Sequence, residues 1–216
     1  MKGYIGTLFQ LPQSVEVAHR CAESAKQFGI DTELFPAVWR DVAMKELESE
    51  GLSLATYDQS FSNVGSVVGN FVTQYRIWNT IATSNEPGIV LEHDAVFVAE
   101  VPDLTKKGDI INLGKPSYGR YQTKNAPGVY PLFSKPGYMP GAHAYYVTPT
   151  GADQLIKKAK KLGASPCDIF LNNTNFRHIR ELYPWVVEAQ DSFTTIQNPK
   201  GCTAKHNNGP KFKVIS

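Results

Sequence analysis

Residues 88–98 read GIVLEHDAVFV. Pro87 breaks the chain before them, and Ile89, Val90 and Leu91 form an apolar run able to be buried on both faces of a sheet. Glu92-His93-Asp94 interrupts the run before Ala95 to Val98 resume it. Three polar residues therefore sit at the carboxyl end of a buried strand, the position at which open α/β sheets bind ligands. A carboxylate buried there needs a partner, and a Glu-x-Asp pair suits Mg²⁺ or Mn²⁺, which one or two carboxylates hold while phosphates complete the shell. An arginine or a helix terminus satisfies the same pair equally well, and spacing alone leaves both readings open. His93 has the opposite phase to its neighbours in extended backbone and should point away from an ion, toward a core or supporting role.

Outward from this strand, the chain alternates between strand and helix signals. Gly3 to Phe9 is a short β-branched and apolar run, followed by Pro12 and by Ser14, which can cap a helix reaching about Phe28. Gly29 closes that helix, and Asp31 to Val38 reads as a second strand. Helical character returns over Val42 to Glu50, and 60–69, rich in Gly and Ser, reads as a mobile loop. From Asn70 to Ser84, Phe71, Val72, Tyr75, Ile77, Trp78 and Ile81 recur at helical spacing, so one face packs on the sheet.

Asp109 to Gly114 and Ala142 to Thr148 are further strands, separated by a long Gly-, Pro- and Tyr-rich segment, 115–141, of the length that loops with a function have. Its Tyr118, Tyr121, Tyr130, Phe133 and Tyr138 are able to stack on an apolar ligand face or to serve the core. A helix follows over Gly151 to Leu162, then a short one from Pro166-Cys167-Asp168 through Leu171, and a last strand at Val186 and Val187. The pattern is α/β: one domain over 1–216, with a mixed, mostly parallel sheet flanked by helices and a Gly-, Asn- and Lys-rich tail over 197–216, mobile by composition.

Composition narrows the function classes. Lys plus Arg total 22 against 20 Asp plus Glu, a net charge of +2, which gives no broad field for nucleic acid or an anionic membrane. The first residues lack the apolar core of a signal peptide and no stretch is long enough to span a bilayer, so a cytoplasmic protein is expected. Cys21, Cys167 and Cys202 are odd in number and far apart, which argues against a disulfide framework or structural zinc.

Several blocks together resemble glycosyltransferase family 25. Residues 69–78, GNFVTQYRIW, match by spacing that family's Gly-Cys-x-Leu-Ser-His-x-x-x-Trp helix, with Gly69 and Trp78 retained and Asn70, Thr73 and Gln74 in place of cysteine, serine and histidine. LEHDA resembles its strand ending in Glu-Asp-Asp-Ala, with His93 in the middle; Gly141-Ala142-His143-Ala144-Tyr145 resembles its Gly-Thr-His-Ala-Tyr strand, and Gly151-Ala152 its helix start. Pro166-Cys167-Asp168 resembles its Pro-Val-Asp, and Gln190 with Ser192 its closing Gln and Ser.

The resemblance implies a GT-A fold and metal-dependent transfer of a hexose from a nucleotide-sugar donor, UDP-linked, to a glycan or small hydroxyl acceptor, with inversion. Asp94 is then the metal ligand, joined by His206 or, less well placed, by His178; Thr7, Leu8, Gln74, Glu92, His93 and Asp94 serve the donor. Gly141 and His143 line the acceptor side. Asp168 is the base, although the same position suits a helix cap. The tail lysines 200, 205, 211 and 213 are able to close on a diphosphate. Loss of the Ser-His pair keeps a second reading open, a GT-A-fold protein that binds a nucleotide or glycan without turnover. Metal-assisted nucleotidyl transfer is a further rival, but it calls for a Gly-rich phosphate loop that 6–12, GTLFQLP, does not supply.

Overall fold

The apolar runs pair into one principal sheet in the computed structural model, which describes residues 1–59, 62–117, 122–133, 137–140, 142–190 and 196. In chain order the elements are β1 Lys2–Thr7, α1 Pro12–Gln27, β2 Asp31–Pro36, α2 Ala43–Ser49, α3 Val64–Thr83, β3 Gly88–Glu92, β4 Ala95–Phe97, β5 Ile110–Asn112, β6 Gly128–Pro131, β7 Ala144–Val147, α4 Pro149–Leu162, α5 Cys167–Phe170, β8 Arg180–Tyr183 and β9 Val187–Ala189. The sheet order is β2-β1-β3-β7-β5-β8-β6, and β4 pairs with β9 in a separate ribbon. The pairings β1–β2, β1–β3 and β5–β8 are parallel, and those of β7 and β6 with their neighbours are antiparallel. Five strands thus run one way and two against them, the mixed, mostly parallel sheet with flanking helices that the strand–helix alternation leads one to expect.

Ile89, Val90 and Leu91 are at most 2% exposed because β3 lies centrally and both faces of the sheet are covered. On one face α1 packs with Ile5, Ile89, Leu91 and Ile111. On the other, α2, α3, α4 and α5 enclose Tyr4, Val90, Ile110, Tyr145 and Val147. Trp78 stacks on Phe170 at 5.7 Å and Phe71 meets the same ring edge-on at 5.0 Å, so aromatic contacts fasten the short α5 to α3. Each such pair contributes about 0.5–1.5 kcal/mol beyond its buried area. This junction fixes Cys167 and Asp168 relative to the sheet.

Several boundaries differ from the sequence reading. Helix α3 begins at Val64, inside the stretch read as a loop, with the Asn63 side chain accepting from the Ser66 N–H at 3.0 Å. Its glycines serve close approach: a Cβ on Gly69 would lie 2.4 Å from the Val38 carbonyl oxygen. Ser14 caps nothing, since α1 starts at Pro12 after Leu11 and Ser14 lies inside its first turn. Strand β6 falls within the supposed 115–141 loop, and β8 was not anticipated. Gly29 does close α1, at φ +72°, with Cys21 and Cys167 buried as free thiols. No described helix is long and apolar enough to cross a membrane.

Candidate functional site

The register of β1 with β3 sets Gly6 opposite Glu92, so Thr7, Leu8 and the Glu92-His93-Asp94 turn meet at the carboxyl edge of the parallel strands. Thr7 is fully buried and its hydroxyl donates to the Ile5 carbonyl at 2.8 Å. The Leu8 N–H donates to Ser14 Oγ at 3.0 Å, which ties the first strand's exit to α1. His143, just before β7, accepts from the Glu92 N–H through its main-chain oxygen at 2.9 Å. Its ring is 1% exposed and lies so close to Gly114 that a Cβ there would sit 2.5 Å from Nε2. In this conformation His143 supports the end of β3 from within the core.

The three residues of the turn diverge. Glu92 faces α3, where its Oε1 accepts from Asn70 Nδ2 at 3.0 Å. His93 faces α1, with Nδ1 and Ser14 Oγ 2.9 Å apart, and burial followed by the nearby Arg20 charge lowers its pKa to about 4. The imidazole is therefore neutral at physiological pH and faces α1 while Glu92 faces α3; His93 and Asp94 lie in a turn after β3, not in the extended backbone on which the period-two reading rested. Asp94 Oδ1 is buried and makes no hydrogen bond to any described residue. Burial, reinforced by the charge of Glu92, raises its pKa to about 7. The next position on the β4–β9 ribbon repeats the pattern: the Gln190 N–H donates to the Asp94 carbonyl at 3.1 Å, and Gln190 Nε2 is also buried with no hydrogen-bond partner among the described residues.

Glu92 is held by a chain of side-chain hydrogen bonds that the sequence reading did not find. Trp78 Nε1 donates to Tyr145 OH at 2.7 Å, and that hydroxyl donates to Gln74 Oε1 at 2.6 Å. Gln74 Nε2 donates to Asn70 Oδ1 at 2.7 Å, and Asn70 Nδ2 completes the run to Glu92. Cys167 Sγ also donates to Asn70 Oδ1, at 3.7 Å. Every donor points toward the carboxylate, so the chain polarises in its favour. The bond from Asn70 opposes the dominant effect of burial, which raises the Glu92 pKa. Gln74 belongs to this group, but it is 3% exposed and reaches Glu92 only through Asn70.

Asp168 enters the same neighbourhood from α5. Its Oδ1 accepts from the N–H of the next residue, Ile169, at 2.9 Å within the first turn of α5, whose cap position is held by Pro166 with no side-chain cap bond. Burial and, to a smaller degree, the Glu92 charge raise its pKa to about 7. Glu92, Asp94 and Asp168 thus converge electrostatically, while no three His, Cys, Asp or Glu among the described residues lie close enough to hold a metal by themselves. The orphaned Asp94 oxygen fits a cation whose remaining ligands come from a bound diphosphate. His178 lies at the opposite edge of the sheet, two residues before β8, where Arg180 pairs with Ile111, and it cannot join Asp94. His206 and Gly141, together with Tyr118, Tyr121, Ser192, Cys202 and the tail lysines, fall outside the described residues.

No family model matches the chain, and no curated protein matches it. Among solved structures, a Drosophila galactosyltransferase 7 mutant in complex with manganese, UDP-Gal and xylobiose is similar at a TM-score of 0.43 and 9% identity, over 85% of this chain and 66% of that one, just under two thirds of its length. The inositol-1-phosphate CTP transferase of T. maritima gives 0.42 and 11%, over 84% and 85% of the two chains. A CTP:phosphocholine cytidylyltransferase of Streptococcus pneumoniae gives 0.37 and 12%, over 86% and 91%. At these scores none of the three bears on what this chain acts upon.

Proposed function

We propose that the chain is a metal-dependent glycosyltransferase of the GT-A type, moving a hexose from a UDP-linked donor to a hydroxyl acceptor. The observation that carries the reading is the Asp94 oxygen, buried at the carboxyl edge of β3 beside Glu92 and without a hydrogen-bond partner among the described residues, with Asp168, another carboxyl of raised pKa, under the influence of the same Glu92 charge. The order of the family 25 blocks along the sequence supports it.

In this reading Asp94 holds Mn²⁺ or Mg²⁺ together with the donor diphosphate. A divalent ion there offsets the charge that grows on the leaving nucleotide. Glu92, oriented by Asn70, accepts hydrogen bonds from donor ribose or sugar hydroxyls. Thr7 and Leu8 border the base, and His93 keeps the turn in place through Ser14. Asp168 takes the acceptor proton as the acceptor oxygen bonds to the anomeric carbon and the bond to the diphosphate oxygen breaks. A base with a pKa near neutrality suits that step. Ile196 accepts from the Asn63 N–H at 2.8 Å, next to the start of α3. His206 is the proposed second ligand.

One observation favours binding without turnover. The Thr73 hydroxyl accepts from the Val38 N–H and donates to the Gly69 carbonyl, and Gln74 is committed to Asn70 and Tyr145, so neither residue reaches a ligand. UDP release from UDP-galactose and UDP-glucose in Mn²⁺ decides between the readings. The transferase reading expects turnover that Asp94→Ala abolishes; UDP binding without release would leave the binder.

A further inference from the structure

At the opposite edge of the sheet, where β5 and β8 begin, lies a cavity of about 350 Å³ bounded by α4 on one side and residues 175–179 on the other. Gln154, Lys157, Lys158 and Lys161 line it at the i, i+3, i+4, i+7 spacing of a single helix stripe. A lysine stripe on an amphipathic helix is ordinarily a solvated face, and Lys161 also suits the α4 C-terminus. What departs from that pattern is the second wall, which adds Arg177 and His178 and faces the stripe across the cavity.

That wall is built independently of any ligand. Asn172 Oδ1 accepts from the N–H groups of Thr174 and Asn175, at 2.8 and 2.7 Å, and Asn175 Nδ2 donates to the Phe170 carbonyl at 2.9 Å. Phe176 and Ile179 are anchored in the core at 6% and 2% exposure. None of Lys157, Lys158, Lys161 and Arg177 forms an ion pair with a described residue. The cavity's single carboxylate, Asp109, accepts from the Thr148 hydroxyl at 2.7 Å. Four cations against one acid leave +3 in the cavity, more than the +2 of the whole chain. Like charges held around one concavity repel, and a bound anion relieves that repulsion.

We propose that this cavity binds a phosphate ester of a small organic molecule, independently of the carboxylate site. The volume exceeds what inorganic phosphate fills and falls in the range of small-molecule pockets, about 300–1,000 Å³. The dianion sits among Lys157, Lys158, Lys161 and Arg177, and the organic part lies on Ile110, Phe176 and Ile179 at the cavity floor.

The test is calorimetric titration of the full chain with glucose 6-phosphate and with inorganic phosphate, in the wild type, in Lys157→Ala/Arg177→Ala and in Asp94→Ala. Lys157 and Arg177 are exposed, so the double variant should keep the wild-type Tm without ligand. The expected result is saturable, salt-sensitive binding of the sugar phosphate, tighter than that of inorganic phosphate. It weakens at least about tenfold in the double variant and is unchanged in Asp94→Ala, which separates it from the fate of the donor site. No saturable binding, equal affinity for the two probes, or unaltered affinity in the double variant would overturn the proposal.

Discussion

Replacing Asp168 by Asn isolates the cost of holding a carboxylate on α5. The amide keeps an oxygen for the Ile169 N–H and nearly the same shape, but it does not titrate. Burial raises the Asp168 pKa from 3.8 to about 7, so the folded protein binds this proton more tightly than the unfolded chain does. Stability from this group is therefore complete below about pH 4 and is lost as pH rises through about 7. Three pH units at about 1.36 kcal/mol each set a ceiling of about 4 kcal/mol, and partial solvent exposure reduces this to about 2 kcal/mol. Urea denaturation of metal-free protein should show Asp168→Asn matching the wild type near about pH 4 and exceeding it by about 2 kcal/mol at about pH 8. On the proposed role of Asp168 as base, the same variant should lose about 10²–10⁴-fold in transfer rate. A stability difference that does not change with pH would refute the reasoning about this carboxyl.

Two further substitutions probe the surroundings of the site. Asn70→Leu removes the donor to Glu92 and breaks the chain from Trp78, and kcat/KM should fall by about tenfold or more, the equivalent of about 1.5–3 kcal/mol for a hydrogen bond to a charged group. An unchanged kcat/KM would mean that Glu92 needs no positioning. Gly69→Ala places a methyl 2.4 Å from the Val38 carbonyl oxygen and should lower stability by about 1–3 kcal/mol in thermal unfolding, with α3 displaced from the end of β2.

Strand β3 was legible because Ile89, Val90 and Leu91 are uninterrupted and fill a central position, whereas the period of two stops at Glu92, since His93 and Asp94 form a turn. Strand β8 was not legible, because Arg180-Glu181-Leu182-Tyr183 looks polar. Glu181 is nevertheless fully buried, accepting from Asn112 Nδ2, Trp185 Nε1 and the Phe133 N–H, partners 69, 4 and 48 residues away in sequence. The start of α3 was hidden by Gly65, Ser66 and Gly69, whose composition resembles a loop while their small size allows close packing.

At the proposed site, Glu92, Asp94 and Asp168 were singled out by type and motif, but their mutual electrostatic influence is a tertiary fact. Asn70 and Gln74, two amides four apart on an otherwise apolar helix face, carried a readable signal of a shared polar track. Their attachment to Glu92 crosses 22 residues and had no local sign. The basic cavity was not read from the sequence: the spacing of Lys157, Lys158 and Lys161 is present there but was not singled out, and the wall at 175–179 that faces it comes from the fold.

Calorimetric titration of UDP with and without Mn²⁺, into the wild type and Asp94→Ala, tests the central claim most directly. The account predicts saturable binding that requires the metal and is lost in Asp94→Ala. Binding indifferent to both metal and substitution, or no binding under any condition, would contradict it.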